Sequence, residues 1–247
     1  MCQRLSSSKL SFFAAHRSAS HGSQITLYYM PIWFQAIKGT SAVESGIRTM
    51  PLILGFVLAT IIGGGLVTVY GYYAPMMIMA SIFMSVGAGL LTTLAPDSGL
   101  PQWIGFQVLL GFGVGLGLQQ GLIAAQTVLP SKDVPSGTAL IIFGQSFGSA
   151  TCLAVAQTIF TNSLVSNLKN TVPGLDPSMV TNVGATMVQD VVPKQYWPGA
   201  QIAYNKALID AFYLAIGTSC LSLIGSLFVE WKSVKKDDAK AKPSDAD

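Results

Sequence analysis

Charge is what this sequence has least of. Asp, Glu, Lys and Arg together make up 10% of its 247 residues, where a soluble domain carries about 25%. A chain this poor in charge cannot cover a water-facing surface of its own size. Charge is absent altogether between Arg48 and Asp97, between Asp97 and Lys132, and between Asp210 and Glu230. Cysteine and histidine are almost as scarce. Cys2, Cys152 and Cys220 are far apart and match no metal or redox spacing, and His16 and His21 lie in a polar stretch without a third ligand. A disulfide scaffold and a zinc site are both excluded as readings. The formal net charge of +3 is too small to imply a nucleic-acid partner. HExxH, GxSxG and Walker A lysine patterns are missing, so the sequence offers no enzyme site and calls for no cofactor.

What is present is hydrocarbon. Hydrophobic residues reach 51% and the mean hydropathy is +0.52. Each charge-free gap holds apolar runs long enough for a membrane helix, which needs about 20 residues. The expected spans are 25–37, 47–69, 73–94, 103–128, 137–164 and 207–231. The short separators YGYYAP, APDSGLP and LPSKDVPSG contain Pro or Gly, so neighbouring helices run antiparallel. The fold class is therefore an all-α polytopic membrane protein. The first span is short, about 20 Å as helix. It reads as a truncated helix, preceded by a polar segment over 1–24 that is artefactual to the bundle. The apolar content of that segment is too low for a signal peptide.

The connection over 165–206 is long. Asp176 is placed to cap a helix beginning at Pro177, and Val180, Val183, Met187 and Val191 recur at helical spacing. A helix on the bundle surface and an ordered loop are both compatible with that pattern. Lys232, Lys235, Lys236, Lys240 and Lys242 in the tail 232–247, together with Lys132, Arg4, Lys9 and Arg17, outnumber Lys38, Arg48, Lys169, Lys194 and Lys206. The positive-inside rule then makes the C-terminus cytoplasmic and turns the 165–206 loop outward.

Two residue types mark the interior. Gly111, Gly113, Gly115 and Gly117 form two small-xxx-small pairs, which let helix backbones approach closely in lipid. The same explanation covers Gly63 to Gly65 and Gly144/Gly148. Read as a nucleotide-binding loop, GVGLG lacks the preceding strand that such a loop requires. The amides Gln107, Gln119, Gln120, Gln126, Gln145 and Gln157 lie in apolar segments. An amide facing acyl chains has no partners, so these side chains should face the bundle or a wet cavity. Helix-to-helix hydrogen bonding and contact with a solute are both open roles. The candidate cavity residues are Gln119, Gln120, Gln126, Gln145 and Tyr29. Tyr28, Tyr29, Trp33 and Phe34 suggest an interfacial aromatic belt, or the mouth of a cavity. Asp210 and Glu230 are expected near the two ends of the last span.

The stretches YYMPIWFQAIKGTSAVESGIRTMPLILG, GFGVGLGLQQGLIAAQTVLPSKDVPSGTALIIFGQSFG and AFYLAIGTSCLSLIGSLFVEWKSVK closely resemble fungal major facilitator superfamily transporters. More narrowly, they are similar to the fourteen-helix drug:H+ antiporter subfamily. The resemblance runs from about Tyr28 to Lys235 and corresponds to the C-terminal six-helix bundle. LVTVYGYYAP, Leu66 to Pro75, occupies the place of an inner-loop motif but lacks its basic residues.

The resemblance implies proton-driven export of small organic solutes such as toxins, drugs or secondary metabolites across the plasma membrane. It also implies a second, N-terminal bundle against which this one rocks. The partners implied are a small organic solute, protons, the lipid bilayer, and that N-terminal half or a second half-transporter. The alternative reading is a truncated, non-transporting membrane protein or a half-transporter partner. Either way, the chain alone is expected to insert without transporting.

Overall fold

The computed structural model describes residues 24–128, 132–227 and 233. The polar segment before Gln24, the end of the last span at 228–231, and the tail apart from Ser233 lie outside the described residues.

Among the described residues the regular structure is helical, apart from an isolated antiparallel bridge between Tyr72 and Ser233. Helix α1 is described over 24–38. It is followed by α2 (Ala42–Tyr70), α3 (Ala74–Leu91), α4 (Leu100–Leu118), α5 (Gln120–Val128) and α6 (Val134–Thr171). The connection after α6 holds two single turns, α7 (Ser178–Thr181) and α8 (Val188–Val191), with a 3-10 turn at Ala185–Met187 between them, before α9 (Trp197–Leu227). Among the described residues, five helical stretches are long and apolar enough to cross a membrane: α2, α3, Leu100–Ile123, α6 and α9. The chain is a multi-pass membrane protein.

Local chemistry sets the boundaries. Ser41 caps α2 by accepting from the Glu44 backbone N–H at 3.2 Å, and Glu44 pairs with Arg48 at 2.6 Å one turn on. Gly71, at φ 79°, ends α2 in the left-handed region that glycine tolerates. Pro75 and Pro101 sit in the first turns of α3 and α4, where a missing N–H costs nothing.

The helix after Asp97 does not run unbroken, as the sequence suggests. It is interrupted at Gln119, which separates α4 from α5.

Helix α4 is the centre of the bundle, packed between α2 and α3. Its glycines explain how. Successive alternate residues lie about 200° apart on a helix, so the two pairs face opposite ways. A Cβ at Gly111 or Gly115 would run into the backbone carbonyls of Leu52 and Phe56 on α2. One at Gly113 would meet the Met84 backbone nitrogen of α3 at 2.6 Å, and one at Gly117 would meet Ala80 Cβ at 3.1 Å. Gly63 also faces α4, at Leu116. Gly64, Gly65 and Gly144 have open space instead, so close packing does not explain them.

Helix α1 turns most of its aromatic residues into the bundle. Tyr29, Trp33 and Phe34 are fully buried, and only Tyr28 of the expected aromatic belt is exposed. The rings pack against other helices: Phe34 on Trp103 at 5.0 Å and Tyr29 on Phe160 at 5.5 Å. The opposite side of α1 carries Gln24, Leu27 and Tyr28, which are exposed, so Tyr28 is the one belt residue left at the surface.

The last carbonyls of α1 are satisfied by side chains. Gln189 donates to Ala36 O at 3.2 Å and Gln201 to Ile37 O at 3.0 Å. Lys38 donates to Pro96 O at 2.7 Å and to Ser98 O at 2.9 Å, with its ammonium 5.5 Å above the Trp33 ring.

Helices α6 and α9 have 38 and 31 residues, or about 57 and 46 Å. Both exceed a hydrocarbon core of about 30 Å. The connection between them, expected over 165–206, is correspondingly shorter, 172–196. Its pattern differs from the expected one as well. Val180, Val188 and Val192 are buried, while Met187 is exposed. Asp176 caps a single turn and not a helix. Its carboxylate accepts from the Ser178 backbone N–H at 2.9 Å, which holds it below the usual carboxylate range. The turns break because each buries one valine against the bundle instead of presenting a continuous stripe.

Asp210 sits near the middle of α9, since that helix begins at Trp197 and not near Ala207. Ala200, Ala203, Tyr204 and Asn205 are buried and hold those extra turns in helical form. Asp210 accepts a hydrogen bond from Ser163 on α6, whose hydroxyl in turn accepts from Asn167 at 2.9 Å.

Candidate functional site

A cavity of about 300 Å³ lies among α1, α2, α4 and α6. Its wall is apolar: Leu27, Leu52, Phe56, Leu110 and Val114 are among its lining residues. Two amides, Gln24 and Gln145, supply the polar groups. The glycine packing builds this wall. Because Gly111 brings α4 against Leu52, Leu110 and Val114 on one helix and Leu52 and Phe56 on the other form one surface. An apolar concavity with a few polar groups is the common form of a site for small organic ligands.

The five sequence candidates do not converge there. Gln145 alone lines this cavity. Gln119 and Gln126 are exposed on the outside of the described bundle. Gln120 is buried at 1% exposure, and its Oε1 has no hydrogen-bond partner. It lies beside Gly63, where a Cβ would come within 3.7 Å of its amide nitrogen. Tyr29 is fully buried and donates to Gln157 Oε1 at 2.8 Å. Gln107 serves helix packing, donating to Arg48 O at 3.1 Å within a turn of Pro51.

Gln24 was missed because it directly adjoins the polar N-terminal stretch and reads as part of it.

A second cavity, of about 280 Å³, lies among α1, α6, α9 and the α6–α9 connection. Tyr28, Gln35, Gln157, Thr161 and Tyr204 give it a more polar wall. Sequence reasoning passed over Gln35 and Tyr204. The signal available for Tyr204 was its place one residue before Asn205 in an alanine-rich stretch.

Among the described residues, no group of three or more His, Cys, Asp or Glu side chains could hold a metal ion.

No protein-family model matches the sequence. Similar proteins do exist. Over 211 residues, 85% of this chain, it is 49% identical to the MFS-type efflux pump MFS1 of Arthroderma benhamiae. The protein of the same name from Trichophyton rubrum gives the same identity over the same length. Over 221 residues, 89% of the chain, it is 45% identical to the Aspyridones efflux protein of Neocamarosporium betae. In all three the match covers 39% of the relative, so the chain spans about two fifths of the length of the curated relatives it matches.

Proposed function

The chain is homologous to fungal MFS-type efflux pumps, and on that footing we propose that it is the C-terminal bundle of such a transporter, exporting small organic compounds from the cell. The observation that carries this reading is the apolar cavity among α1, α2, α4 and α6, with Gln145 at its wall. Toxins, drugs and secondary metabolites have the matching chemistry: an apolar body with a few hydrogen-bonding groups. Energy comes from proton entry, the membrane is the plasma membrane, and the tail is cytoplasmic.

A second bundle completes the pathway. Helices α2 and α6 have the faces available to it or to lipid, since their most apolar windows are 28% and 17% buried, the lowest of the five spans. Ile47, Leu54, Ile61, Phe143 and Phe147 are left uncovered. A rocking mechanism needs two bundles around one site. The alternative reading, a non-transporting half, rests on the same exposed faces.

The cavity assignment is tested in a full-length relative expressed in yeast. Replacing the residue aligned with Gln145 by Leu removes one hydrogen-bonding group from the wall. A hydrogen bond contributes about 0.5–1.5 kcal/mol, so efflux of an oxygen-rich substrate should fall about three- to tenfold relative to an apolar one. Unchanged relative rates, at normal surface expression, would reject the assignment.

The two readings separate in proteoliposomes. With an imposed proton gradient, the 247-residue chain alone should insert and move no substrate. A co-reconstituted N-terminal part of a relative should restore gradient-dependent movement. Restoration by neither would favour the non-transporting reading.

A further inference from the structure

The two cavities share no lining residue. We propose that the second one is a separate binding station for an uncharged organic molecule with hydroxyl or carbonyl groups on an aromatic frame. Occupancy requires no transport, so the proposal stands apart from the efflux reading.

Tyr204 carries the argument. It is 5% exposed, and its ring is fixed edge-on against Phe160 at 5.3 Å. Among the described residues its hydroxyl makes no hydrogen bond, yet the side chain lines the cavity. The ring is enclosed while the hydroxyl opens onto the cavity, so the space that can supply its partner is the cavity.

The neighbouring groups are also incompletely used. Gln35 spends its amide nitrogen on Ser45 Oγ at 2.9 Å, leaving Oε1 as an acceptor. The carbonyl of Gln157 accepts from Tyr29, while its amide nitrogen reaches Thr161 Oγ1 at 3.5 Å, the limit of a useful bond. Together these groups offer donors and an acceptor around one space. None of the lining residues is charged, so a charged ligand would be desolvated without compensation. Ile32, Phe160, Leu164 and Val180 provide the apolar surface for the rings.

The walls are preformed. Val180 and Val188 are buried, and Gln189 ties the connection to Ala36 O. The volume, about 280 Å³, lies just below the usual range of ligand pockets, which run from about 300 to 1,000 Å³. That suits a compound of about two or three rings.

The test uses the 247-residue chain in lipid nanodiscs, with 1,8-dihydroxyanthraquinone as the probe. Equilibrium dialysis against empty nanodiscs subtracts partition into lipid. Tyr204→Phe removes one hydroxyl and keeps the ring, and it should raise Kd about three- to tenfold. Ile32→Trp fills the cavity and should abolish saturable binding. Leu221→Ala, exposed on α9 and lining neither cavity, should leave Kd within about twofold. Equal Kd for Tyr204→Phe and the unmodified chain, or no binding above empty nanodiscs, overturns the proposal. So does a loss confined to Gln145→Leu, which would put the probe in the first cavity and leave the efflux reading standing.

Discussion

Gly115→Leu should unfold or misassemble the bundle, while Gly105→Leu, ten residues earlier on the same helix, should be tolerated. A Cβ at Gly115 would collide with the Phe56 carbonyl of α2 and come within 2.8 Å of Ala59 Cβ. A carbonyl cannot rotate out of the way as a side chain can. The helices would have to separate, losing the packing that holds membrane helices together. Overpacking in a well-filled core typically costs about 1–3 kcal/mol. A leucine forced against backbone belongs at the upper end of that range. Gly111→Leu meets Leu52 O in the same way.

Gly105 has nothing within 4 Å of its would-be Cβ, so its substitution should stay within about 0.5 kcal/mol. The change in helix propensity is the same at both sites and cancels from the comparison. Thermal stability in detergent, followed by size-exclusion chromatography, reads the difference. Equal losses at Gly105 and Gly115 would show that close approach is not what the glycine is for.

The second large effect is expected at Asn205. Its Oδ1 accepts from Trp33 Nε1 at 2.8 Å, and its Nδ2 donates to Leu94 O at 3.0 Å. One side chain thus joins α1, α9 and the end of the α3 region. Asn205→Leu leaves an indole N–H and a backbone carbonyl unpaired and enclosed. Leaving a buried polar group unsatisfied costs about 1–3 kcal/mol, and here there are two.

Adding Trp33→Phe removes the stranded donor. The double variant should therefore be less destabilised than the sum of the singles. Purely additive losses in the cycle would mean that the Trp33–Asn205 bond contributes nothing of its own.

The all-α membrane fold was legible because charge is excluded from the spans so completely. The gap from Arg48 to Asp97 admits hardly any other reading. The alternate-residue glycines likewise announced close packing, but not that α2 and α3 would take opposite faces, which depends on three-dimensional neighbours.

The amides were only half legible. Gln107 is inside and donates to Arg48 O, as the cost of an unpaired amide requires; Gln120 is inside although its Oε1 has no partner, and Gln119 and Gln126 are exposed on this bundle. Sequence shows that an amide needs a partner, not which helix supplies it. Asn205 was hidden because the WPGAQIAYNKA stretch looked like loop. Its helical form depends on burial of Ala200, Ala203 and Tyr204 against partners distant in sequence.

The two-sided glycine seam on α4 also governs how this molecule can deform. Advancing a helix by one residue turns it about 100°, which would present Phe112 or Val114 where a glycine now meets α2 or α3. Sliding and spinning are therefore blocked on both flanks at once. Helices α2, α3 and α4 behave as a single stiff plank. Compliance is left to the opposite side, where α6 is the least enclosed span and packs chiefly along α9. A tilt of α6 would bend the bundle at the seam that carries Gln145, opening or narrowing one wall of the first cavity while the plank keeps the α2 and α4 walls fixed.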